Sequence, residues 1–205
     1  MRYLLFYMMG LLLCYLPVGA QTPQEVLQRV EQHAYEAGGM EIRFTLHASG
    51  GRMPGTLRLK GVMFRLDTEA GITWFDGTTQ WTYLSQSEEV NISEPSAEEL
   101  QALNPYAWLS LYRNGYALKF KEDALKEAPH YELVLTATRR TQDVLCLILY
   151  VRKSDCALQR INFVRRGGET AVITVNACKE QQTWPDSDFT FNPREYPHAE
   201  IIDLR

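Results

Sequence analysis

Apolar and polar residues alternate with a period of two through most of this chain, which confines it to antiparallel β structure. Ile42, Phe44 and Leu46 fall on one side of the first such run, and Arg43 and Thr45 fall on the other. Strands with this pattern are wet on one face and apolar on the other. The apolar faces of the strands must therefore converge on a core or on a cavity.

Further runs of this kind are separated by turn signals such as Asp76-Gly77. Beyond the strands around 42–46 and 57–59, the pattern predicts strands at 62–67, 72–75, 80–84, 89–92, 116–121, 131–138, 144–152, 156–164 and 170–178.

Two helical regions interrupt the strands. Thr22-Pro23-Gln24-Glu25 is a capping box with proline at the first helical position, and Gly38-Gly39 ends the helix that it opens. A second capping box begins at Ser96, and a further helical segment runs from Asn104-Pro105 to Gly115.

A long meander leaves unpaired backbone groups at its two edge strands unless the sheet curls towards a barrel or another element covers an edge. The predicted helices are available to cover the interior of such a sheet. We therefore predict a mainly β (α+β) fold: an incomplete, strongly curved antiparallel β-barrel covered by a helical lid.

The N-terminus has the three parts of a secretory signal peptide: Arg2, an apolar run from Tyr3 to Leu16, and small residues before Gln21. The run is shorter than the roughly 20 residues that a spanning helix needs, and Pro17 ends it. We predict that residues 1–20 are cleaved on export.

A lipid-modified Cys14 is the alternative reading of this N-terminus, but Leu13 before it is not the small residue that such a signal requires. Residues 21–205 are expected to form a single domain outside the cytoplasm. The net charge of the whole chain is only −4, with no block of like charge, so we expect no binding to nucleic acid.

Cys146, Cys156 and Cys178 remain after removal of the signal peptide. A three-residue turn at 166–168 sets Ile161 opposite Ile173, and the same register sets Cys156 opposite Cys178. A disulfide between Cys156 and Cys178 is possible in that register, although many such pairs stay reduced. Cys146 is expected to be a buried structural residue.

No motif for catalysis or metal binding is present. The four histidines are scattered, and there is no CxxC pair, no nucleophile elbow and no phosphate-binding glycine loop. We therefore predict no catalytic residue, no metal site and no cofactor, and we expect the protein not to be an enzyme.

The aromatic and aliphatic residues have two interpretations, an ordinary core or the lining of an apolar pocket. The candidate pocket residues are Phe44, Leu46, Leu57, Leu59, Phe64, Leu66, Trp74, Trp81, Tyr83, Trp108 and Leu109.

A family resemblance favours the pocket. The hairpin sequence Asp76-Gly77-Thr78-Thr79-Gln80-Trp81-Thr82-Tyr83 and the closing Phe189-Thr190-Phe191-Asn192-Pro193 resemble the periplasmic outer-membrane lipoprotein carrier (LolA) family. Ile42-Arg43-Phe44-Thr45 after the first helix, and the order of strands around a helical insert, are also similar to that family.

The resemblance implies an unclosed barrel with a helical lid and a monomeric periplasmic chaperone that shelters the acyl chains of lipoproteins. The partners implied are acylated lipoproteins, an inner-membrane lipoprotein-release transporter and an outer-membrane acceptor. Members of the best-known branch carry a basic residue and a proline as a lid latch where this chain has Gly61-Val62. Arg43 and Arg65 are the candidate replacements for that latch.

Three other functions stay open at this point, and one of them is a purely structural envelope protein with a packed core. The same fold is compatible with a carrier or sensor of a free lipid or glycolipid. A different class of function is an exported enzyme with an unrecognised site, for instance a hydrolase that uses His47 or His130.

Overall fold

The predicted signal peptide and most of the second predicted helical region lie outside the residues that the computed structural model describes. The described residues are 21–96, 100, 113, 115–122 and 128–205.

The first helix, α1, spans Pro23–Glu36 and begins at the predicted capping box. The N–H of Glu25 donates to Oγ1 of Thr22 (3.2 Å), and the N–H of Thr22 donates to Oε2 of Glu25 (2.9 Å). Apolar residues at helical spacing form a buried stripe that includes Val26 and Val30. The helix ends before Gly38, which takes a φ of 70° that favours glycine.

All strands of the described residues belong to one sheet. They are β1 (Gly39–Ala48), β2 (Gly51–Lys60), β3 (Met63–Thr68), β4 (Gly71–Phe75), β5 (Gln80–Leu84), β6 (Glu89–Ser93), β7 (Tyr116–Phe120), β8 (His130–Ala137), β9 (Val144–Arg152), β10 (Leu158–Arg165), β11 (Thr170–Gln182) and β12 (Glu200–Asp203). Short 3-10 turns at Asp186–Phe189 and Pro193–Glu195 lie between β11 and β12.

The strand order across the sheet is β12-β6-β5-β4-β3-β2-β1-β11-β10-β9-β8-β7. Two antiparallel meanders, β1–β6 and β7–β11, are joined by the pairing of β1 with β11. The C-terminal β12 pairs with β6 in parallel, and all other neighbours are antiparallel. The sheet does not close, so the expected incomplete barrel is an open, curved sheet with β7 and β12 as its edges.

Local signals predicted most of the strand bounds. The predictions for β5 and β9 match the observed bounds, whereas β10 begins two residues later than expected and β11 extends four residues further. Strand β12 was not predicted at all. The described part of the chain contains a single complete helix, and most of the second predicted helical region lies outside it.

The two faces of the sheet differ. We call the face that carries Leu57 and Phe64 the inner face, and the face that carries Arg65 and Trp74 the outer face, because directly paired residues share a face. The inner face packs against α1 in one apolar core. Its most buried strand residues are Met40, Ile42, Leu57, Phe64, Leu133, Leu135, Leu147, Leu149, Val151 and Ile161.

The possible disulfide between Cys156 and Cys178 is not formed, since Cys146, Cys156 and Cys178 are all free. The predicted pairing of Ile161 with Ile173 is correct, but the β10–β11 ladder ends at Arg160. Cys156 lies outside that ladder with a φ of 57°, and its side chain is buried in the core. Cys178 instead pairs across β1 with Ile42. Extrapolation of the register beyond the end of the ladder is therefore the source of the error.

Candidate functional site

The strongest candidate site is the apolar part of the inner face on β1, β2 and β3. Register pairs Ile42 with Leu57, Leu57 with Leu66, and Leu59 with Phe64. Six of the predicted pocket residues share this face. We call them the inner apolar surface: Phe44, Leu46, Leu57, Leu59, Phe64 and Leu66.

Within the described residues, part of the inner apolar surface packs closely against β10 and β11. A cavity of about 10 Å³ remains between β1, β2, β10 and β11. That volume holds roughly one water molecule, and an apolar lining leaves such a void dry. An acyl chain therefore enters only if the packed elements separate. The lining residues are Ile42, Phe44, Leu57, Leu158, Ile161, Ile173 and Val175.

Trp74, Trp81 and Tyr83 do not belong to this surface. Trp74 pairs with Arg65 on one side and with Trp81 on the other, which places all three on the outer face. Tyr83 pairs with Ile72 and lies on the same outer face. The single pocket predicted from sequence therefore divides between two opposite faces.

The predicted pocket residues Trp108 and Leu109 lie outside the described residues.

The outer face carries an aromatic cluster that the C-terminal segment completes. The ring of Trp74 lies 5.7 Å from the rings of Phe191 and Tyr196, and the ring of Tyr83 lies 4.7 Å from that of Tyr196. The guanidinium of Arg65 lies 5.5 Å from the centre of the Trp74 ring. The outer aromatic cluster consists of Trp74, Tyr83, Phe191 and Tyr196.

The hairpin and tail sequences that carry the family resemblance thus meet in this cluster. The turn between β4 and β5 is set by Asp76, whose Oδ1 accepts hydrogen bonds from the N–H groups of Thr78 (2.9 Å) and Thr79 (2.8 Å). Gly77 in that turn has a φ of 107°. These motif residues fix the fold of the tail against the sheet rather than line the inner apolar surface.

Neither candidate replacement for the lid latch faces the interior. Arg65 donates hydrogen bonds to Asp67 (3.0 and 2.8 Å) on the outer face, and Arg43 pairs with Thr56 on that same face. Lys60, at the end of β2, binds the tail instead, with its Nζ 2.6 Å from Asp186. Arg43 and Arg65 therefore do not reach the inner apolar surface, and most of the segment predicted to form the lid lies outside the described residues.

A polar strip adjoins the inner apolar surface and was not predicted. Thr73, which is buried, pairs with Leu66 and with Thr82, and Phe75 pairs with Gln80. The strip therefore lies on the inner face, where β4, β5 and β6 continue the sheet beyond β3. We call this set the inner polar strip: Thr73, Gln80, Thr82, Asn91 and Ser93.

Sequence reasoning missed the strip because the pattern of β5 was assigned through its two large aromatic residues. The alternation within β5 predicts Trp81 and Tyr83 on the inner face and therefore assigns Gln80 and Thr82 to the outer face. The register of β4 against β3 decides the question, and that register is not encoded in β5 itself.

The outer face also has an open groove of about 640 Å³ across β11, β1, β2 and β3. Arginine and carboxylate side chains both line it, so its charges favour no single class of ligand. The charged lining residues are Arg43, Arg52, Asp67 and Glu69.

Two of the cysteine thiols are shifted away from the reactive form, and the described residues contain no metal-binding cluster. Burial raises the pKa of the Cys146 thiol, and burial together with Glu180 raises the pKa of the Cys178 thiol. Both shifts lower the fraction of reactive thiolate at neutral pH. No group of three His, Cys, Asp or Glu side chains in the described part of the chain is arranged to hold a metal ion.

An ion pair joins Glu31 on α1 to Arg113, which lies shortly before β7 in the chain. A guanidinium nitrogen of Arg113 lies 2.5 Å from Oε2 of Glu31. Burial raises the pKa of Glu31, while the charge and the hydrogen bond of Arg113 lower it. Nearby in sequence, the N–H of Leu100 donates to the carbonyl of Ser96 (3.0 Å), and Leu100 packs against the core.

An open, curved antiparallel sheet whose apolar inner surface packs against a helix is the architecture expected of the lipoprotein-carrier-like fold class. Within that class, the chain belongs to the family of the outer membrane lipoprotein carrier protein LolA, whose family model matches residues 18–155. The resemblance inferred from the hairpin and tail motifs is thereby confirmed. No curated protein matches the chain in sequence.

Two solved structures are similar to this chain at low sequence identity. An uncharacterized conserved protein from Thermus thermophilus is 17% identical, with a TM-score of 0.62 over 88% of this chain and 98% of that chain. A LolA superfamily protein from Nitrosomonas europaea is 13% identical, with a TM-score of 0.47 over 84% and 99% of the two chains. At these identities the likeness concerns the fold alone.

No helix in the described part of the chain is both long enough and apolar enough to cross a lipid bilayer.

Proposed function

We propose that this protein is a periplasmic chaperone that carries acylated lipoproteins from the inner to the outer membrane. The observation that carries the proposal is the inner apolar surface, a continuous apolar face in a chain of the LolA family. The protein acts by binding its cargo and not by catalysis.

The inner apolar surface matches the chemistry of acyl chains. Each methylene moved from water to an apolar surface gains about 0.8 kcal/mol, so an acylated protein does not cross water unshielded. The inner-face side chains of β1, β2 and β3 supply aliphatic and aromatic contacts without a charged group among them.

The small cavity implies that loading is coupled to opening. Since only about 10 Å³ is free between β1, β2, β10 and β11, bound acyl chains must displace side chains that now pack together. The cargo then stabilises the open arrangement because it binds that arrangement with higher affinity than the closed one. An empty carrier that closes in this way hides its own apolar face from water.

A carrier that moves lipoproteins from the inner to the outer membrane needs one partner at each membrane. We propose that a monomer receives cargo from an inner-membrane lipoprotein-release transporter and delivers it to an outer-membrane acceptor. The signal-peptide pattern of residues 1–20 supports export to the periplasm.

The test is binding of a diacylated lipopeptide to the purified protein, with the unacylated peptide of the same sequence as the control. Gel filtration should show co-elution of the acylated peptide only. Depletion of the protein in cells should lower the amount of lipoprotein in the outer membrane. Failure to retain the acylated peptide, with normal outer-membrane lipoprotein after depletion, would overturn the proposal.

A further inference from the structure

The inner polar strip lies directly beside the inner apolar surface. The boundary runs along β4, where Thr73 is paired with the apolar Leu66 on one side and with Thr82 on the other. One residue pair further along, Phe75 contacts Phe64 and is paired with Gln80. A ligand whose chains cover the inner apolar surface therefore has its polar end within reach of the strip.

The hydrogen bonds of the strip are incomplete. Nε2 of Gln80 donates to Oγ1 of Thr82 (3.2 Å), while the buried Oε1 of Gln80 has no partner among the described residues. If the amide is turned the other way, its nitrogen becomes the atom without a partner. A buried polar atom of this kind requires a partner, and a ligand is one source of it.

The Gln80–Thr82 pair offers both kinds of hydrogen-bonding group. The oxygen of the Thr82 hydroxyl accepts from Gln80, which leaves its hydrogen free to donate, and Oε1 of Gln80 accepts. Across β6 the strip continues with Asn91 and Ser93, which are half-buried. The strip thus presents neutral donors and acceptors side by side.

The absence of charged side chains from the inner polar strip favours an uncharged ligand group. The strip contains no charged side chain, and the acidic Glu89 lies at the far end of β6 on the same face, hydrogen-bonded by Ser87 (3.0 Å). Arg65 is on the opposite face. A carboxylate or a phosphate placed on the strip would find no cation in it, whereas neutral ester and amide groups would find donors and acceptors.

We propose that the inner polar strip binds the neutral ester and amide groups at the root of the cargo's acyl chains, while the chains themselves lie on the inner apolar surface. This inference rests on the proposed carrier function and adds to it a preference for ester-linked and amide-linked chains over free fatty acids.

The experiment replaces the polar pair by residues of similar size, Gln80→Leu with Thr82→Val, and uses Thr174→Val as the control. Thr174 is half-buried on the outer face, where it pairs with Thr45. The probes are a synthetic diacylated lipopeptide, a diacylglycerol with the same chains, and palmitate. Binding is measured by displacement of a fluorescent fatty acid, and stability by urea unfolding.

The double variant should bind the lipopeptide about tenfold more weakly, the effect of one or two lost hydrogen bonds. Its affinity for palmitate should not change, and it should be at least as stable as the native protein because the unpaired buried atom is gone. Weaker binding of diacylglycerol as well would assign the strip to ester carbonyls, and an effect on the lipopeptide alone would assign it to peptide amides.

Two results would overturn the inference while leaving the carrier function intact: unchanged lipopeptide affinity in the double variant, or an equal loss for lipopeptide and palmitate. If the native protein binds neither the lipopeptide nor the diacylglycerol, the carrier function and the inference fail together.

Discussion

The ring of Phe44 lies over Gly55, its partner on the neighbouring strand, so closely that no larger residue fits beneath it. A Cβ atom on Gly55 would lie 2.4 Å from Cζ of Phe44. The backbone of Gly55 thus forms one wall of the inner apolar surface, and the position of the Phe44 ring depends on the absence of a side chain there.

Gly55→Ala should therefore displace Phe44 and destabilise the fold by about 1–3 kcal/mol, the usual effect of overpacking a core. The free energy of unfolding in urea measures this change. Gly50→Ala is the matched control, because nothing lies within 4 Å of a Cβ at that position. Equal stability of the two variants would contradict the close contact.

Arg113→Gln should make the protein more sensitive to rising pH. Because burial raises the pKa of Glu31, its carboxyl group binds a proton more tightly in the folded state than in the unfolded state. The contribution of Glu31 to the free energy of unfolding is therefore present at low pH and is lost as pH rises through the folded pKa. Without Arg113 the pKa of Glu31 should rise further. The free energy of unfolding at pH 7 should then fall by about 1 kcal/mol at most, since Arg113 is half exposed.

Urea unfolding at pH 5 and pH 7 checks this expectation. The difference between the two pH values should be larger in Arg113→Gln than in the native protein and should shrink in Glu31→Gln. Lys119→Gln is a control, because Lys119 and its partner Glu122 are both largely exposed. A pH profile of Arg113→Gln that parallels the native one would count against the role of this pair.

Tyr196→Ala should loosen the C-terminal tail. Tyr196 contacts three rings of the outer aromatic cluster, and aromatic pairs contribute about 0.5–1.5 kcal/mol each beyond their buried area. We expect a loss of about 2 kcal/mol in stability and faster amide hydrogen exchange in β6 and β12. Tyr35→Ala, at a tyrosine that is 85% exposed, should change neither quantity.

The three cysteines should all be alkylated when the unreduced protein is unfolded, since each is free. In the native protein Cys178 should react before the buried Cys156. Because burial and Glu180 raise the pKa of the Cys178 thiol, its reaction with iodoacetamide should be slow at pH 7 and should accelerate as pH rises. Peptide mapping by mass spectrometry distinguishes these sites, and a Cys156–Cys178 crosslink would contradict the structure.

Local signals were sufficient for the helix and for the hairpins. The Thr22 capping box places the start of α1, and Asp76-Gly77 places the turn between β4 and β5, because in both cases the atoms that decide the structure are a few residues apart. The six residues of the inner apolar surface followed from the same alternation, in strands whose polar side is plainly polar.

The face of Trp74 did not follow from sequence, because β4 is apolar on both sides. Thr73 and Phe75 lie inside while Ile72 and Trp74 lie outside, and only the register against β3 separates them. Strand β12 escaped prediction for a related reason. Ile201 and Ile202 form a strand by pairing with β6, which lies more than a hundred residues earlier in the chain.

That parallel pairing has a consequence for the order in which the chain acquires its structure. Ribosomes make proteins from the N-terminus, so β6 is complete long before Glu200–Asp203 exist. Until β12 has been synthesised, the backbone groups along one side of β6 have no strand to bond with, which is the condition that promotes pairing between different molecules. Strand β12 therefore protects the edge at β6 from self-association once it has been made, and removal of Glu200–Asp203 should show first as aggregation during production.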